Sequence, residues 1–226
     1  MISRVTRLKF LIYSKMRRLL KQIAILCATF AVVSIALPHS SFAQERQIRS
    51  EVLFDKGIYF GVYSEVLEQP LKVHYFVHPS NFGDVSRSGM NFYEELEYHT
   101  SDDDDYYRNV WDKGHMAPAA TFDKTEEMLR TTFSYLNSAL QHQRLNRYHW
   151  RYLEAYEREL SEEIQDTVYV TVEVKFDTVV ELLPTGASVP SGFYKFLSYG
   201  EEEECYYFPN RAPTKDWKEY KINCEL

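Results

Sequence analysis

The sequence predicts an α+β domain built on a mixed or antiparallel β-sheet. Two observations carry this. Runs rich in aromatic and β-branched residues recur along the chain, and only one long stretch has the three- and four-residue apolar spacing of a helix. Strands that outnumber helices in this way make a mixed α+β domain. A third observation sets the domain count: no internal repeat, low-complexity tract or Pro/Gly/Ser linker divides the chain after its first 43 residues.

Those first 43 residues stand apart. They contain seven Lys/Arg and no acid, followed by the apolar run "IAILCATFAVVSIAL" and then "PHSSFAQE". Ser41-Phe42-Ala43 has the small-x-small form of a signal-peptidase site, so residues 1–43 are expected to be a signal peptide cleaved after Ala43. The apolar run, about 15 residues, is shorter than the roughly 20 that span a bilayer core. Cys27 lies in mid-run and is not read as a lipid anchor, and Met16 offers an alternative start. The expected location is secreted or periplasmic, with no membrane attachment after cleavage and a domain over residues 44–226. Removing the leader's seven basic residues leaves 19 Lys/Arg against 33 Asp/Glu, a net charge of −14. Such a surface repels nucleic acid at long range, so a nucleic-acid function needs a locally basic cleft. The two cysteines left, Cys205 and Cys224, can pair in an oxidising compartment, which their number alone leaves open.

Along the mature chain, "GIYFGVYSEV" and "LKVHYFVH" read as strands joined by a "LEQP" turn, and "SDDDDYY" as a solvated acidic loop. That loop lacks the spaced ligands and Gly of a calcium site. A strand ends near His115, because "GHMAPAA" breaks any regular pattern. Trp150, Leu153, Tyr156, Leu160 and Ile164 predict an amphipathic helix of about five turns over 146–164. Val168, Val170, Val172 and Val174 alternate with polar residues as in a half-buried strand, and "GFYKFLSY" and "CYYF" supply further strands.

No zinc-protease signature, phosphate-cradling Gly loop, dinucleotide fingerprint or Gly-x-Ser-x-Gly elbow occurs. His142 and His149 lie seven apart without a third ligand and do not make a zinc site. His115, in "WDKGHMAPAATF", has the only punctuated setting among the histidines after the leader. Taken alone, "DKGH" more often marks a structural strand-end histidine, with Asp112 orienting it or bonding nearby amides.

"DKGHMAPAA" nevertheless resembles the Asp-(Arg/Lys)-Gly-His signature of the DNA/RNA non-specific endonucleases. "TTFSYLNSALQHQRLNRYHWRYLE" is similar to that family's second block, with its Asn segment, Gln, Leu-Asn, Trp and closing Leu-Glu. "RSGMNF" from Arg87 resembles the family's Arg segment, and Asp105-Tyr106 falls seven residues before Asp112 as the pattern expects. "LPTGASVPSGFYKFL" and "CYYFPN" resemble the later strands, so the likeness covers roughly residues 55–210. It implies a ββα-metal (His-Me finger) core and a secreted, metal-dependent endonuclease acting on DNA and RNA.

The resemblance also implies roles. His115 is the expected general base and Asn146 the single protein ligand of Mg2+, with Mn2+ as the alternative metal. Glu154 is expected to hold the metal's water shell, Arg87 to contact the scissile phosphate, and Asn137 to orient the site. Lys113, Asp112 and Arg147 complete the expected substrate-contacting set. The implied products carry 5′-phosphates, and activity is expected to fall below about pH 6 as His115 becomes charged. Magnesium dehydrates reluctantly, so one protein ligand is chemically reasonable. Asn146 and Glu154, eight apart, stand about 80° apart around a helix. Without the resemblance, Asn146 reads as an N-cap and Glu154 as a solvated residue paired with Arg151 or Arg158. Lys113 stands where many members have Arg, Thr121 replaces a frequent Asp, and Leu136 precedes Asn137 where Ser is usual. The alternative, from a different class, is an exported nuclease-like protein that binds nucleic acid without turnover. No oligomeric state follows from the sequence.

Overall fold

The structure, a computed structural model, describes residues 48–224. The expected signal peptide, its Ala43 site, Cys27 and Met16 lie outside the described residues. The strands, in chain order, are β1 (Val52–Asp55), β2 (Tyr59–Ser64), β3 (Gln69–Val77), β4 (Trp111–His115), β5 (Ser138–His142) and β6 (Val168–Lys175). They continue with β7 (Glu181–Leu182), β8 (Ser188–Val189), β9 (Gly192–Tyr199), β10 (Glu202–Pro209) and β11 (Lys221–Ile222). Seven of them form one sheet in the order β1-β2-β3-β6-β9-β10-β11, while β4-β5 and β7-β8 make separate pairs. Every named pairing is antiparallel, which settles the sheet type the sequence left as mixed or antiparallel.

The period-two pattern accounts for the sheet's inner face. Val168, Val170, Val172 and Val174 of β6 are buried, and their neighbours across the ladder are buried too. Val73 faces Val172, Tyr75 faces Val170 and Val77 faces Val168 on one side. On the other side Val170 faces Leu197 and Val174 faces Phe193. Burying each such side chain contributes roughly 1.5–3 kcal/mol, so a one-residue slip, turning all of them to the opposite face, is strongly opposed.

The hairpin between β2 and β3 turns earlier than expected. Residues 65–68 form the turn, with Glu68 in the left-handed region at φ 54°. Gln69 and Pro70 of the expected "LEQP" turn already belong to β3. The register shifts at Val62/Tyr63, where Tyr63 faces Pro70 and Val62 faces Lys72. Proline cannot donate to the ladder, and a bulge is where a strand tolerates it. The acidic loop also departs from a wholly solvated turn: Asp105 is buried and its Oδ2 accepts from the Asp102 amide at 2.9 Å.

Besides the short helix α1 (Glu126–Thr131), capped by the Thr125 hydroxyl, the expected long helix is present in two parts. Leu145–Trp150 winds as a π-type turn and α2 (Arg151–Ile164) continues as an ordinary α-helix. Trp150, Leu153 and Leu160 are buried, with Tyr156 and Ile164 packed on the same core. Trp150 meets Phe193 at 5.5 Å and Phe208 at 6.0 Å between ring centroids, docking the helix start on β9 and β10. Among the described residues no helix is long and apolar enough to cross a membrane.

Cys205 of β10 and Cys224 form a disulfide with Cα atoms 5.3 Å apart, closing a 19-residue separation around β11. A cross-link over a loop of this size stabilises by about 3 kcal/mol. The double variant Cys205→Ser/Cys224→Ser is expected to lower the unfolding free energy by that amount, read from its denaturant midpoint, while keeping the native far-UV circular dichroism spectrum.

Candidate active site

Strands β4 and β5, followed by the helix, form a ββα unit, and three anchors fix His115 at the end of β4. The first is a close approach. Gly114 faces Ala139, and a Cβ on Gly114 would lie 2.4 Å from Gln141 Oε1 and 2.6 Å from its Cβ. Only glycine permits that crossing. The second is Asn137, fully buried, whose Oδ1 accepts from the Ala117 amide at 2.7 Å. Its Nδ2 donates to the carbonyls of Ala117 and Thr132, both at 2.9 Å, and its own carbonyl accepts from the Met116 amide. The third is Trp150, whose Nε1 donates to the His115 carbonyl at 3.1 Å. Asn137 is thus a positioning residue with its amide fully used, not a catalytic one. Leu136 before it is buried in the core, and Ser134 Oγ accepts from its amide, so the hydroxyl expected next to Asn137 sits two residues earlier.

The His115 ring packs against both Phe92, at 4.8 Å, and Phe133, at 5.0 Å, which also touch each other. Its Nε2 is buried and, among the described residues, has no hydrogen-bond partner. Burial, and then the positive charge of Arg87, push its pKa down to about 3. A buried polar atom without a partner is rare and marks a place where something else belongs. The low pKa also corrects the expected loss of activity near pH 6: in the free protein His115 stays neutral well below that. Arg87 itself is exposed, on a turn in which the Met90 amide donates to the Arg87 carbonyl at 3.1 Å and Gly89 takes φ +81°. That position of such a turn requires positive φ, hence glycine.

Glu154 is half-buried on α2, not the solvated partner of Arg151 or Arg158 that the spacing alone suggests. Burial raises its pKa to about 7, opposed by Lys195, reinforced by Glu157 and opposed again by Arg158 and Arg87. Arg158 donates to the Glu154 backbone carbonyl at 2.9 Å. Arg87 therefore acts electrostatically on both His115 and Glu154, two titratable groups whose environments push their pKa values in opposite directions. Such divergence is characteristic of functional sites.

Asn146 does not cap the helix, since Arg144 occupies that position. Instead its Nδ2 donates to Asp112 Oδ2 at 3.0 Å, which leaves the amide oxygen to accept or ligate. Arg147 grips the same carboxylate with both arms, at 2.8 and 2.7 Å. Asp112 is therefore no substrate contact: its oxygens are taken by the chain's own helix start, and its charge would repel a phosphate. Arg147 remains exposed while paired. Lys113 is also committed elsewhere. It pairs with Asp103 and sits over the rings of Tyr135 at 5.3 Å, Tyr106 at 5.6 Å and Phe92 at 5.7 Å. Beside it lies a cavity of about 290 Å³ lined by Phe92, Tyr135 and the acids Asp102, Asp103 and Asp104, surroundings that disfavour phosphate.

Among the described residues no three His, Cys, Asp or Glu cluster as a dehydrated metal cage. One free amide oxygen on Asn146 and the half-buried Glu154 carboxylate fit a hard cation that keeps most of its water.

One functional element escaped the sequence reading. Lys195 on β9 is completely buried and pairs with the buried Glu157 at 2.7 Å. Its ammonium lies 4.1 Å from the Trp150 ring centroid, and Tyr75 donates its hydroxyl to Glu157 at 2.7 Å. Lys195 occupies an inward position between Phe193 and Leu197, and that register in "GFYKFLSY" was the available signal. The pair ties α2, one turn after Glu154, to the central sheet.

Two outcomes follow from these environments. An unfolded histidine binds a proton below pH 6.5 whereas folded His115 resists it until about 3, so stability falls as pH drops through that window. His115→Asn, neutral throughout, is expected to show a shallower acid loss in denaturant titrations between those pH values. Lys195→Met alone leaves Glu157 buried and uncompensated and is expected to cost about 3–5 kcal/mol, with part of the loss recovered in Lys195→Met/Glu157→Gln.

Comparison with known proteins agrees with this geometry. The model of the family described as DNA/RNA non-specific endonuclease matches residues 42–225. Mitochondrial endonuclease G of Bos taurus is 36% identical over 128 residues, which is 51% of this chain and 43% of that protein. Nuclease C1 of Cunninghamella echinulata var. echinulata is 28% identical over 123 residues, 48% of this chain and 49% of that protein. The chain thus spans less than half the length of these relatives. The crystal structure of the EndoG/EndoGI complex, concerned with EndoG inhibition, superposes with a TM-score of 0.66 at 24% identity, over 76% of this chain and 80% of that one, and so shares the fold. With a family model matched from residue 42 to residue 225, this chain belongs to the DNA/RNA non-specific endonucleases.

Proposed function

We propose that the chain is an exported, magnesium-dependent endonuclease that hydrolyses DNA and RNA without sequence preference. The observation that carries this is His115: a neutral imidazole with its buried Nε2 unpartnered, electrostatically joined to Arg87, which also acts on Glu154. A neutral imidazole accepts a proton from water. In the proposed reaction His115 takes that proton as the water oxygen attacks phosphorus in line with the departing 3′ oxygen, leaving a 5′-phosphate on the other fragment. Arg87 stabilises the extra negative charge on the phosphate. Asn146 through its amide oxygen, with Glu154 holding coordinated water, would bind the cation. Bound there, magnesium, or manganese in its place, would supply neutralisation of charge on the phosphate and on the leaving oxygen. Asp112 holds Asn146 in the orientation this needs.

Backbone phosphate contacts carry no sequence information, in keeping with a non-specific enzyme. The leader at residues 1–43 and the Cys205–Cys224 pairing support a secreted or periplasmic location, with 44–226 as the mature domain.

The test is incubation of mature protein with plasmid and with RNA, in magnesium and then in EDTA. Cleavage is expected in magnesium alone, with His115→Ala slower by about 10²–10⁴-fold, the usual contribution of a general base. Asp112→Ala is expected to raise the magnesium concentration needed for half-maximal rate by about 10–100-fold, the typical effect of losing a ligand's supporting contact. Binding without cleavage in every metal would point to the nuclease-like protein without turnover.

A further inference from the structure

The start of the long helix carries a surface that the reaction chemistry does not use. In "RLNRYHWRY" (Arg144 to Tyr152) there are three arginines, two exposed tyrosines and no acid, within a chain of net charge −7. Arg144, Tyr148 and Tyr152 recur at four-residue steps, and Arg147 and Arg151, also four apart, stand beside them, the spacing of neighbouring rows on a helix. All five are exposed. Tyr148 and Tyr152 retain 52% and 42% of their accessible surface, large for aromatic rings. Arg151 lies over the Tyr152 ring at 5.5 Å. The face shares its helix with Asn146 and Glu154 but, with Tyr148 and Tyr152 two residues out of step with them, is turned to another side of it. Its flank is fixed by His149, whose Nε2 bonds the Lys215 carbonyl at 2.7 Å and so brings the Lys215 segment alongside.

We propose that this face is the docking track for a single-stranded or locally unpaired nucleic-acid strand, with bases stacked on Tyr148 and Tyr152 and phosphates held by Arg144 and Arg151. This rests on the nuclease reading and specifies how that enzyme engages its substrate. Charge complementarity selects the occupant: a run of arginines without a carboxylate, on an acidic protein, fits a polyanion. The tyrosines select the strand type, because a base offers its face to a ring only when it is unpaired. Base–aromatic stacking is sequence-tolerant, since every base has a π-face, and alternating rings with cations is how single-strand grooves are built. Arg147 belongs to the track only secondarily, being gripped by Asp112.

The experiment measures affinity by fluorescence anisotropy in EDTA, so that no turnover intervenes, using a labelled oligothymidine of about 12 nucleotides and a hairpin duplex of similar length. Tyr148→Ala/Tyr152→Ala is expected to weaken oligothymidine binding at least tenfold, about 1.4 kcal/mol, and duplex binding much less. Tyr148→Phe/Tyr152→Phe, which keeps both rings, is expected to bind as the parent does. Arg144→Gln/Arg151→Gln is expected to lower the slope of log affinity against log salt by about 1.4, at roughly 0.7 for each phosphate contact on a single strand. The proposal is overturned if the alanine variant binds oligothymidine as tightly as the parent, or loses duplex and single strand equally. It is also overturned if the variant shifts from dimer to monomer in sedimentation with binding intact, since the face would then join two copies. A parent that binds the oligonucleotide through the tyrosines but does not cleave it on adding magnesium would sink the enzymatic reading and leave the track standing.

Discussion

The Asp112 carboxylate is the joint on which the candidate site depends. It leaves β4 three residues before His115 and reaches the first turn of the following helix, where it holds both Asn146 and Arg147. One side chain thereby couples the strand that ends in the candidate base to the helix that carries the candidate ligand. The contact also decides chemistry. An amide whose nitrogen is occupied presents its oxygen, the atom a hard cation prefers. The Asn137 clamp and the Trp150 hydrogen bond then lock the backbone at His115 and just after it. Three separate sequence positions thus converge on one histidine.

Around this joint the protein holds ionisable groups in forms that water would not choose. His115 is neutral where an exposed histidine begins to charge. Glu154 retains its proton up to about 7, so the stability gained from its neutral form is present below pH 4.5 and disappears as pH rises through 7. Lys195 and Glu157 are buried together against Trp150 and Tyr75. Buried pairs of this kind add little net stability compared with apolar residues. Their value here is geometric, because the pair sets where α2 sits on the sheet and a cation placed beneath Glu154 tempers the burial that neutralises it.

The strands of the large sheet were legible because Val168–Val174 and their neighbours alternate without interruption, and the helix because its apolar spacing is long. The hairpin boundary at Glu65–Glu68 was not, since a bulge and Pro70 disguise the start of β3. For the site, His115, Asn146, Glu154 and Arg87 were found through the motif pattern, and their order in the chain is the part a sequence records well. The roles of Asp112 and Lys113 were misjudged because partners lie far off: Arg147 is 35 residues from Asp112, and Asp103 reaches Lys113 from another loop. The ionisation of His115 was misjudged for a related reason. Phe92 and Phe133 enclose it from segments on either side, and enclosure is a property of the folded core rather than of the "DKGH" motif. Lys195 was overlooked because lysine seldom faces inward, although its strand register said so.

The Cys205–Cys224 link has a consequence beyond tightening the chain. It secures β11, a two-residue strand that covers part of the outer side of β10. The helix leans on the segment this staple secures, since Tyr156 packs on Trp217 at 5.6 Å and His149 bonds the Lys215 carbonyl at 2.7 Å. If the bond is reduced, β11 is free to peel away and β10 becomes a bare edge with unpaired amides and carbonyls. An uncovered edge is a template for another chain. The hazard of a reducing environment is therefore association between molecules.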